Sequence, residues 1–545
     1  MISNNANSLT SDSTIMTELP QEEAAAQHLL KRTPGSYLLN QLYGLWFFAS
    51  TFLLTVIITH EVTTREYGIY AVAMTAYNTI QYIVALGLED ATTTFVPRVL
   101  AEHGKAAAAL LIRRLLLLRI GILIVSAFLI IYGLPALTIL MQHIQMHQAL
   151  NVGDLFDPEW EPYILPIALL VVSSGVANLL NAVCAALMRM KIVFVIGSLT
   201  QIGLLGLGFV VLQSGGGING LLWLMATGYI FVTAAYVLWL SRVIFARGAE
   251  YRQPLKPVLQ LGISAWLTNL ASGALLKQVS IILLGYFAVS LVEIGYFNLS
   301  FQLADAANYL LVAGFGGVGG AALAAAFVGK NYQRLARSWQ ALIKVETILA
   351  ATGLVFCLFN APAIAHALYG SQYDPMGPLF AIFLFFNILV RIIGTTIHQL
   401  SLYVVGESSR VALAQWIGIS IALLGGIVLI PHSGPAGALI ADGIAKTVVG
   451  LLMLFMIVRH LPRRYPMELL GFTLRFLLAL VLAALPGLLW HPTDKVQLVI
   501  SGCIFLVLSL GLLLWIKPLS AGDMEMLQSV NPRLLRYLRW FARPA

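Results

Sequence analysis

Residues Glu66–Lys105 read EYGIYAVAMTAYNTIQYIVALGLEDATTTFVPRVLAEHGK. A Tyr-Gly pair opens about twenty mostly apolar residues, which break at Leu86-Gly87-Leu88-Glu89-Asp90 and give way to a polar, basic loop with Arg98 and Lys105. Apolar length, interfacial tyrosines and a basic exit describe one membrane span with a defined direction. A fainter copy, Glu293-Ile294-Gly295-Tyr296-Phe297, opens a second apolar stretch far downstream.

Working outward, apolar runs of this length recur along nearly the whole chain. Only 10% of its 545 residues are charged, where a soluble domain carries about a quarter. This is the composition of an all-α polytopic membrane protein. No loop between the runs exceeds about twenty-five residues, too short for a soluble catalytic domain. The net charge of +8 is explained by basic cytoplasmic loops, so nucleic acid is not expected as a partner. Cys184, Cys357 and Cys503 lie far apart in apolar runs and read as small packing residues, not disulfide or metal ligands.

Fourteen spans are expected. Residues 37–59, 68–88, 112–132, 163–187, 192–213 and 218–240 form one six-helix lobe (37–257). Residues 258–285, 295–318, 340–360, 377–400, 410–431 and 435–458 form a second (258–465). A further pair lies at 467–490 and 496–517, within 466–517. Residues 1–36, without a cleavable signal's apolar core, read as a disordered cytoplasmic tail. Residues 518–545, with Arg533, Arg536, Arg539 and Arg543 at helical spacing beside Leu534, Leu538, Trp540 and Phe541, read as an amphipathic cytoplasmic tail on membrane lipids.

Loop charges fix the orientation. Alternate loops hold Arg98, Lys105, Arg113 and Arg114, then Arg189 and Lys191, then Arg242, Arg247, Arg252 and Lys256, and so on to Arg459, Arg463 and Arg464. The opposite loops hold only Arg65 and Lys495, with acids Asp154, Asp157, Glu159 and Glu161 grouped in one. Both termini are therefore expected in the cytoplasm, with the protein in a plasma (inner) membrane.

The two lobes echo each other. Glu66 to Glu293 is an offset of 227, and Ser214-Gly215-Gly216 to Ser433-Gly434-Pro435 is an offset of 219. Six spans per lobe give a parallel repeat, whose halves face each other across a cavity opening alternately to either side.

Intramembrane ionisable residues point to function, because each costs about 2.5–3.5 kcal/mol at a helix centre. The first lobe reads as having none deep inside, since Glu89 and Asp90 stand at a helix end. The second carries Lys277, Asp305, Glu346, Arg391, Asp442 and Lys446. Arg391, Lys446 and Lys277 are candidate substrate-binding cations for an anionic headgroup. Asp305 and Asp442 are candidate carriers of a coupling proton or sodium ion. The competing reading is neutralisation within the protein, for which Asp442 and Lys446 have the right spacing, whereas Arg391 has no acid within one turn. Lys344 and Arg475 are expected to snorkel inward.

Gly314-Phe315-Gly316-Gly317-Val318-Gly319-Gly320 formally contains a GxGxxG but follows an apolar helix, so the dinucleotide reading fails. Close helix packing or a hinge explains Gly314, Gly316, Gly317, Gly319 and Gly320. No metal spacing or catalytic triad can be argued, and no enzyme activity or cofactor is expected.

Arg65-Glu66-Tyr67-Gly68-Ile69-Tyr70, Leu86-Gly87-Leu88 and Phe95-Val96-Pro97 resemble the start of the polysaccharide biosynthesis transporters. These are the oligosaccharide-lipid (O-antigen flippase-like) members of the multidrug/oligosaccharidyl-lipid/polysaccharide (MOP) exporter superfamily. Leu284-Gly285-Tyr286, Leu368-Tyr369-Gly370-Ser371-Gln372-Tyr373 and Gly434-Pro435-Ala436-Gly437-Ala438 extend the resemblance across the twelve-span region. It implies export of a polyprenyl-diphosphate-linked oligosaccharide from the inner to the outer leaflet, with other polysaccharide-assembly membrane proteins as partners. Within the superfamily the alternatives are a lipid II flippase, whose relatives place arginines in the first two spans, and a multidrug cation antiporter, which has an acidic cavity. A membrane-embedded glycosyltransferase or polymerase is the alternative of another class, for which only the loop Asp154–Glu161 stands available.

Overall fold

The computed structural model describes residues 21–133, 160–246, 248, 251–270, 276–287, 289–312, 315–490, 492–519, 524 and 539–541. There is no β-strand among them. The first-half helices are α1 (Gln21–Glu61), α2 (Thr64–Ala85), α3 (Leu88–Phe128), α4 (Glu161–Ala186), α5 (Met190–Gln213) and α6 (Gly217–Ile244). The second half has α7 (Leu255–Asn269), α8 (Leu276–Tyr286), α9 (Leu291–Val312), α10 (Phe315–Ala326), α11 (Tyr332–Phe359), α12 (Ala361–Tyr369), α13 (Met376–Ile393), α14 (Thr395–Val405) and α15 (Ser408–Val458). The pair α16 (Arg464–Leu489) and α17 (Lys495–Ile516) follows.

Among the described residues, ten helices are long and apolar enough to cross a membrane, and the chain is an all-α multi-pass membrane protein. Fourteen crossings would require α2, the pair α7–α8, the pair α9–α10 and the second half of α15 to be counted too. The physical reasons are separate. The apolar run of α2 is diluted by Thr75, Asn78 and Gln81. The expected spans 258–285 and 295–318 each include residues outside the described ones, 271–275 and 313–314, so no single described helix covers either span. At about 1.5 Å per residue the 51 residues of α15 run about 77 Å, more than twice a hydrocarbon core of about 30 Å. The helix divides at Gly434, whose φ of 52° and ψ of −130° suit a residue without a Cβ.

Several boundaries differ from the sequence reading. The helix α1 starts at Gln21, inside the expected tail, because Glu22 through Ala26 are strong helix formers; residues 1–20 lie outside the described residues. The expected basic loop after Glu89 is helical to Gly104, where φ is 77°, and an Arg98–Glu102 ion pair at 2.8 Å braces it one turn apart. The acids Asp154, Asp157 and Glu159, and Arg533, Arg536 and Arg543 of the C-terminal tail, lie outside the described residues. Arg539–Phe541 is a 3-10 turn, and the Leu519 N–H donates to the Phe541 carbonyl at 3.1 Å.

In the first half α4 packs against α3 and α6, and α1 against α5. In the second, α13 is surrounded by α9, α11 and α15, and α16 lies on α11. The halves meet where α2 runs along α9 and α8, and where α3 meets α7. One apolar core runs through this junction, joining Leu54, Tyr67, Phe297, Tyr373 and Phe380.

The repeat is visible in local chemistry. Thr63 and Glu66 form a capping box on α2, the Thr63 N–H donating to Glu66 Oε2 at 2.9 Å. Ser290 and Glu293 echo it on α9, with the Glu293 N–H donating to Ser290 Oγ at 3.3 Å. The glutamate common to both copies of the motif is therefore the third helical residue of a cap, not a transport charge.

Candidate functional site

A cavity of about 680 Å³ lies in the first half, with α8 and α9 of the second half contributing to its wall. Its sides come from α1, α2, α4, α5 and α6. Six carboxamides line it: Asn78 on α2, Asn178 on α4, Gln201 on α5, Gln278 on α8, and Asn298 and Gln302 on α9. Tyr70, Tyr77, Tyr229 and Phe47 supply ring surface, and no lining residue is charged. The polar residues that dilute the apolar pattern of α2 are thus accounted for: Asn78 and Thr75 face the cavity. Gln81 instead donates to Ser174 Oγ and the Val171 carbonyl, both at 2.7 Å, tying α2 to α4.

Both ends of α2 touch the second half through glycine. At the Thr64 end, a Cβ on Gly68 would stand 1.9 Å from the Leu291 carbonyl oxygen, and one on Gly295 would stand 3.3 Å from the Gly68 nitrogen. The opening motif and its echo therefore pack directly on each other, backbone to backbone. Tyr67 is fully buried there; Asn298 Nδ2 donates to its hydroxyl at 3.0 Å, and its ring meets Tyr373 edge-on at 6.2 Å. The Tyr296 hydroxyl donates to the Gln372 carbonyl at 3.1 Å, and Gln372 Nε2 donates to the Thr59 carbonyl at 2.9 Å. Three separate motifs of the sequence meet at this end.

At the other end, a Cβ on Gly87 would stand 1.9 Å from the Gly262 carbonyl oxygen on α7. Gly87 has φ of +64°, a second reason for glycine at this turn. Trp266 Nε1 donates to the Tyr82 carbonyl at 2.7 Å and Asn269 Nδ2 to Asp90 Oδ2 at 3.0 Å. A smaller space of about 390 Å³ beside these residues also touches Glu89.

None of the site residues expected from sequence lines the main cavity. Arg391, which has no acid within one turn of its own helix, donates to Glu346 Oε1, to Asn308 Oδ1 at 2.9 Å and to Thr396 Oγ1 at 3.1 Å. Its acid comes from α11, the next helix in space, which spacing along one helix cannot reveal. Lys446 Nζ pairs with Asp442 Oδ2 at 2.8 Å and lies 4.8 and 4.6 Å from the Phe301 and Phe383 ring centres. Pairing, one of the two readings open in the sequence, is what this geometry holds. Asp442 is fully buried, and its Oδ1 has no hydrogen-bond partner among the described residues. Asp305 is exposed on α9. Lys277 lies in the first turn of α8, and its side chain is outside the described residues.

Of the glycine run, Gly314 is outside the described residues, while Gly316, Gly317, Gly319 and Gly320 are helical in α10. A Cβ on Gly319 or Gly320 would meet Ile397 and Leu400 of α14 at ordinary contact distances, 3.5 and 3.6 Å. Lys344 does not snorkel: it is 4% exposed, with Nζ 5.9 Å from the Phe472 ring centre, because α16 covers that face of α11.

The first half does contain a deep charge. Arg119 on α3 is 1% exposed, and its Nη2 lies 3.0 Å from Glu89 Oε1. Its Nη1 donates to the Val84 carbonyl at 2.6 Å and its Nε to the Gly175 carbonyl at 3.2 Å. This corrects the expectation of a charge-free first lobe. Each half holds a buried Arg–Glu pair, so the contrast in charge that pointed to the second half is weaker than the sequence implied.

Comparison with solved structures gives a lipid II flippase, MurJ, in an inward closed conformation. The TM-score is 0.64 at 14% identity, over 86% of this chain and 97% of that one. An inward-facing multidrug resistance MATE family transporter of the MOP superfamily gives 0.58 at 15% identity, over 75% of this chain and 94% of that one. The chain shares the fold of these two proteins. No family model and no curated protein matches the sequence. Within this fold, the polar side chains that line the cavity are all uncharged: carboxamides, threonines and tyrosines.

Proposed function

We propose that the chain is a flippase that carries a polyprenyl-diphosphate-linked oligosaccharide from the inner to the outer leaflet for cell-surface polysaccharide synthesis. The observation that carries this reading is the cavity between the two glycine contacts of α2. Its volume of about 680 Å³ falls in the range of small-molecule sites. The cavity abuts α8 and α9 and has a Gly–Gly closure at each end of one helix. Releasing one closure while keeping the other opens the cavity to one side at a time, which is alternating access. Under the orientation read from loop charge, Gly68–Gly295 is the outer closure and Gly87–Gly262 the inner one.

In this scheme Asp442 is the site for a coupling proton or sodium ion, because its carboxylate is buried against a single lysine. Asp305 is the second candidate. Arg391, held by Glu346, and Lys446, held by Asp442, act through their pairs, and either cation reaches a diphosphate only by exchanging its partner. The glycine run, Gly314 with Gly316, Gly317, Gly319 and Gly320 of α10, is the place for a hinge. A multidrug cation antiporter would want acids in the cavity, and the described lining has none.

Depletion of the protein followed by mass spectrometry of membrane lipids tests the reading. Lipid-linked oligosaccharide should accumulate on the inner leaflet. Loss of surface glycan with no accumulated intermediate would instead indicate a transferase or polymerase.

A further inference from the structure

Three of the cavity's six carboxamides, Gln201, Gln302 and Asn298, are held at one end and uncommitted at the other. Ser50 Oγ donates to Gln201 Oε1 at 3.1 Å, and Thr55 Oγ1 donates to Gln302 Oε1 at 3.0 Å. Neither amide nitrogen makes a hydrogen bond among the described residues. Asn298 has the opposite sense: its nitrogen is committed to the Tyr67 hydroxyl, leaving its oxygen open. Gln278 lines the cavity too, but its Oε1 is shut away from the open space and has no hydrogen-bond partner among the described residues. The open set therefore contains donors, from Gln201 and Gln302, and an acceptor, from Asn298.

That mixture discriminates between ligand classes. An anion wants donors and a countercharge, and a cation wants acceptors and a countercharge; burying either without one costs several kcal/mol on the order seen for unpaired buried ions. A hydroxyl both donates and accepts, so it can be satisfied by whichever amide end it meets. Tyr70, Tyr229 and Phe47 also line the cavity, and aromatic rings suit the C–H face of a pyranose. Unpaired amide ends in a low-dielectric site are costly when empty and selective when filled by a matching group.

We propose that this cavity binds the saccharide of the lipid-linked substrate and selects an uncharged one, the diphosphate remaining outside it. The proposal rests on the flippase reading and adds the chemistry of its headgroup.

The test uses the full chain in lipid nanodiscs and two probes on the same polyprenyl diphosphate: a neutral disaccharide, and its counterpart with the terminal hexose replaced by the hexuronate. Tryptophan fluorescence titration gives the dissociation constants. The neutral probe should bind at least about tenfold more tightly. Gln201→Leu and Gln302→Leu should each weaken it by about tenfold, because each removes an amide nitrogen that faces the cavity. Equal or tighter binding of the hexuronate overturns the proposal and leaves the flippase reading standing, as does unchanged neutral-probe binding in both leucine variants. Failure of both lipids to bind while an organic cation such as ethidium binds overturns the flippase reading as well. If a variant does not fold, the comparison of the two lipids on the unaltered chain still decides.

Discussion

Arg119 shows how a single side chain can hold a membrane helix junction. Its guanidinium spans the end of α2, the start of α3 and the middle of α4 through Val84, Glu89 and Gly175. Removing one partner of a buried pair leaves the other charge uncompensated, at a cost of about 3–5 kcal/mol. Arg119→Met should therefore lower the unfolding temperature of the purified protein sharply, and adding Glu89→Leu should recover much of it. The same logic applies to Arg391 and Glu346. Arg391→Met alone should destabilise, while Arg391→Met with Glu346→Leu should recover stability and retain transport if the pair is structural. Loss of transport in a stable double variant, measured in proteoliposomes, would instead give Arg391 a direct part in moving substrate. Arg119 stands in the apolar run Leu115–Leu123 and went unread there, and its partner Glu89 lies thirty residues earlier on α3, across the Gly104 break. The partner of Arg391 lay on α11. Sequence spacing exposes pairs four residues apart, such as Asp442 and Lys446, and is blind to pairs made between helices. The cavity carboxamides were less visible still, because Asn and Gln in an apolar helix look the same whether they face a cavity or brace a neighbour as Gln81 does.

At the scale of elements, the glycines separate into those that bend a helix and those that bring two helices together. Gly434 bends: it divides α15 at φ of 52°, with no neighbour within 4 Å of a built Cβ, and it is the echo of the turn at Ser214-Gly215-Gly216. Gly434→Ala should cost about 1–3 kcal/mol through backbone strain alone, seen as a lowered unfolding temperature with the cavity's ligand binding retained. An unchanged temperature would mean that the chain can turn there by another route. Gly68, Gly87 and Gly295 bring helices together, and their positions were legible because they recur in matched motifs. What could not be read was that one copy of the motif touches the other. Nor could hydropathy show that the expected crossing 377–400 is divided in two. A hydropathy window averages across the Gly394 break between α13 and α14, where φ is 84°.

At the scale of the whole molecule, the two closures make opposite predictions for opposite ends. The space around Gly68 is filled by the Leu291 carbonyl and that around Gly87 by the Gly262 carbonyl, each 1.9 Å from a built Cβ. Backbone atoms cannot rotate away as a side-chain tip can, so valine at either position must push the halves apart at that end. With the native cysteines replaced and one cysteine installed at Asn178, which faces the cavity, a membrane-impermeant maleimide reports which side is open. Gly68→Val should raise labelling from the Thr64 end, expected to be extracellular, and leave the opposite side protected by Gly87–Gly262. Gly87→Val should reverse the pattern. Both variants should lose transport while remaining inserted in the membrane, because each can reach only one of the two states that a cycle requires. Labelling from the same side in both variants would show that the α2 contacts are structural joints and that access is controlled elsewhere. Labelling from reversed sides would keep the two-closure scheme but invert the orientation read from Arg98, Arg113 and Arg114.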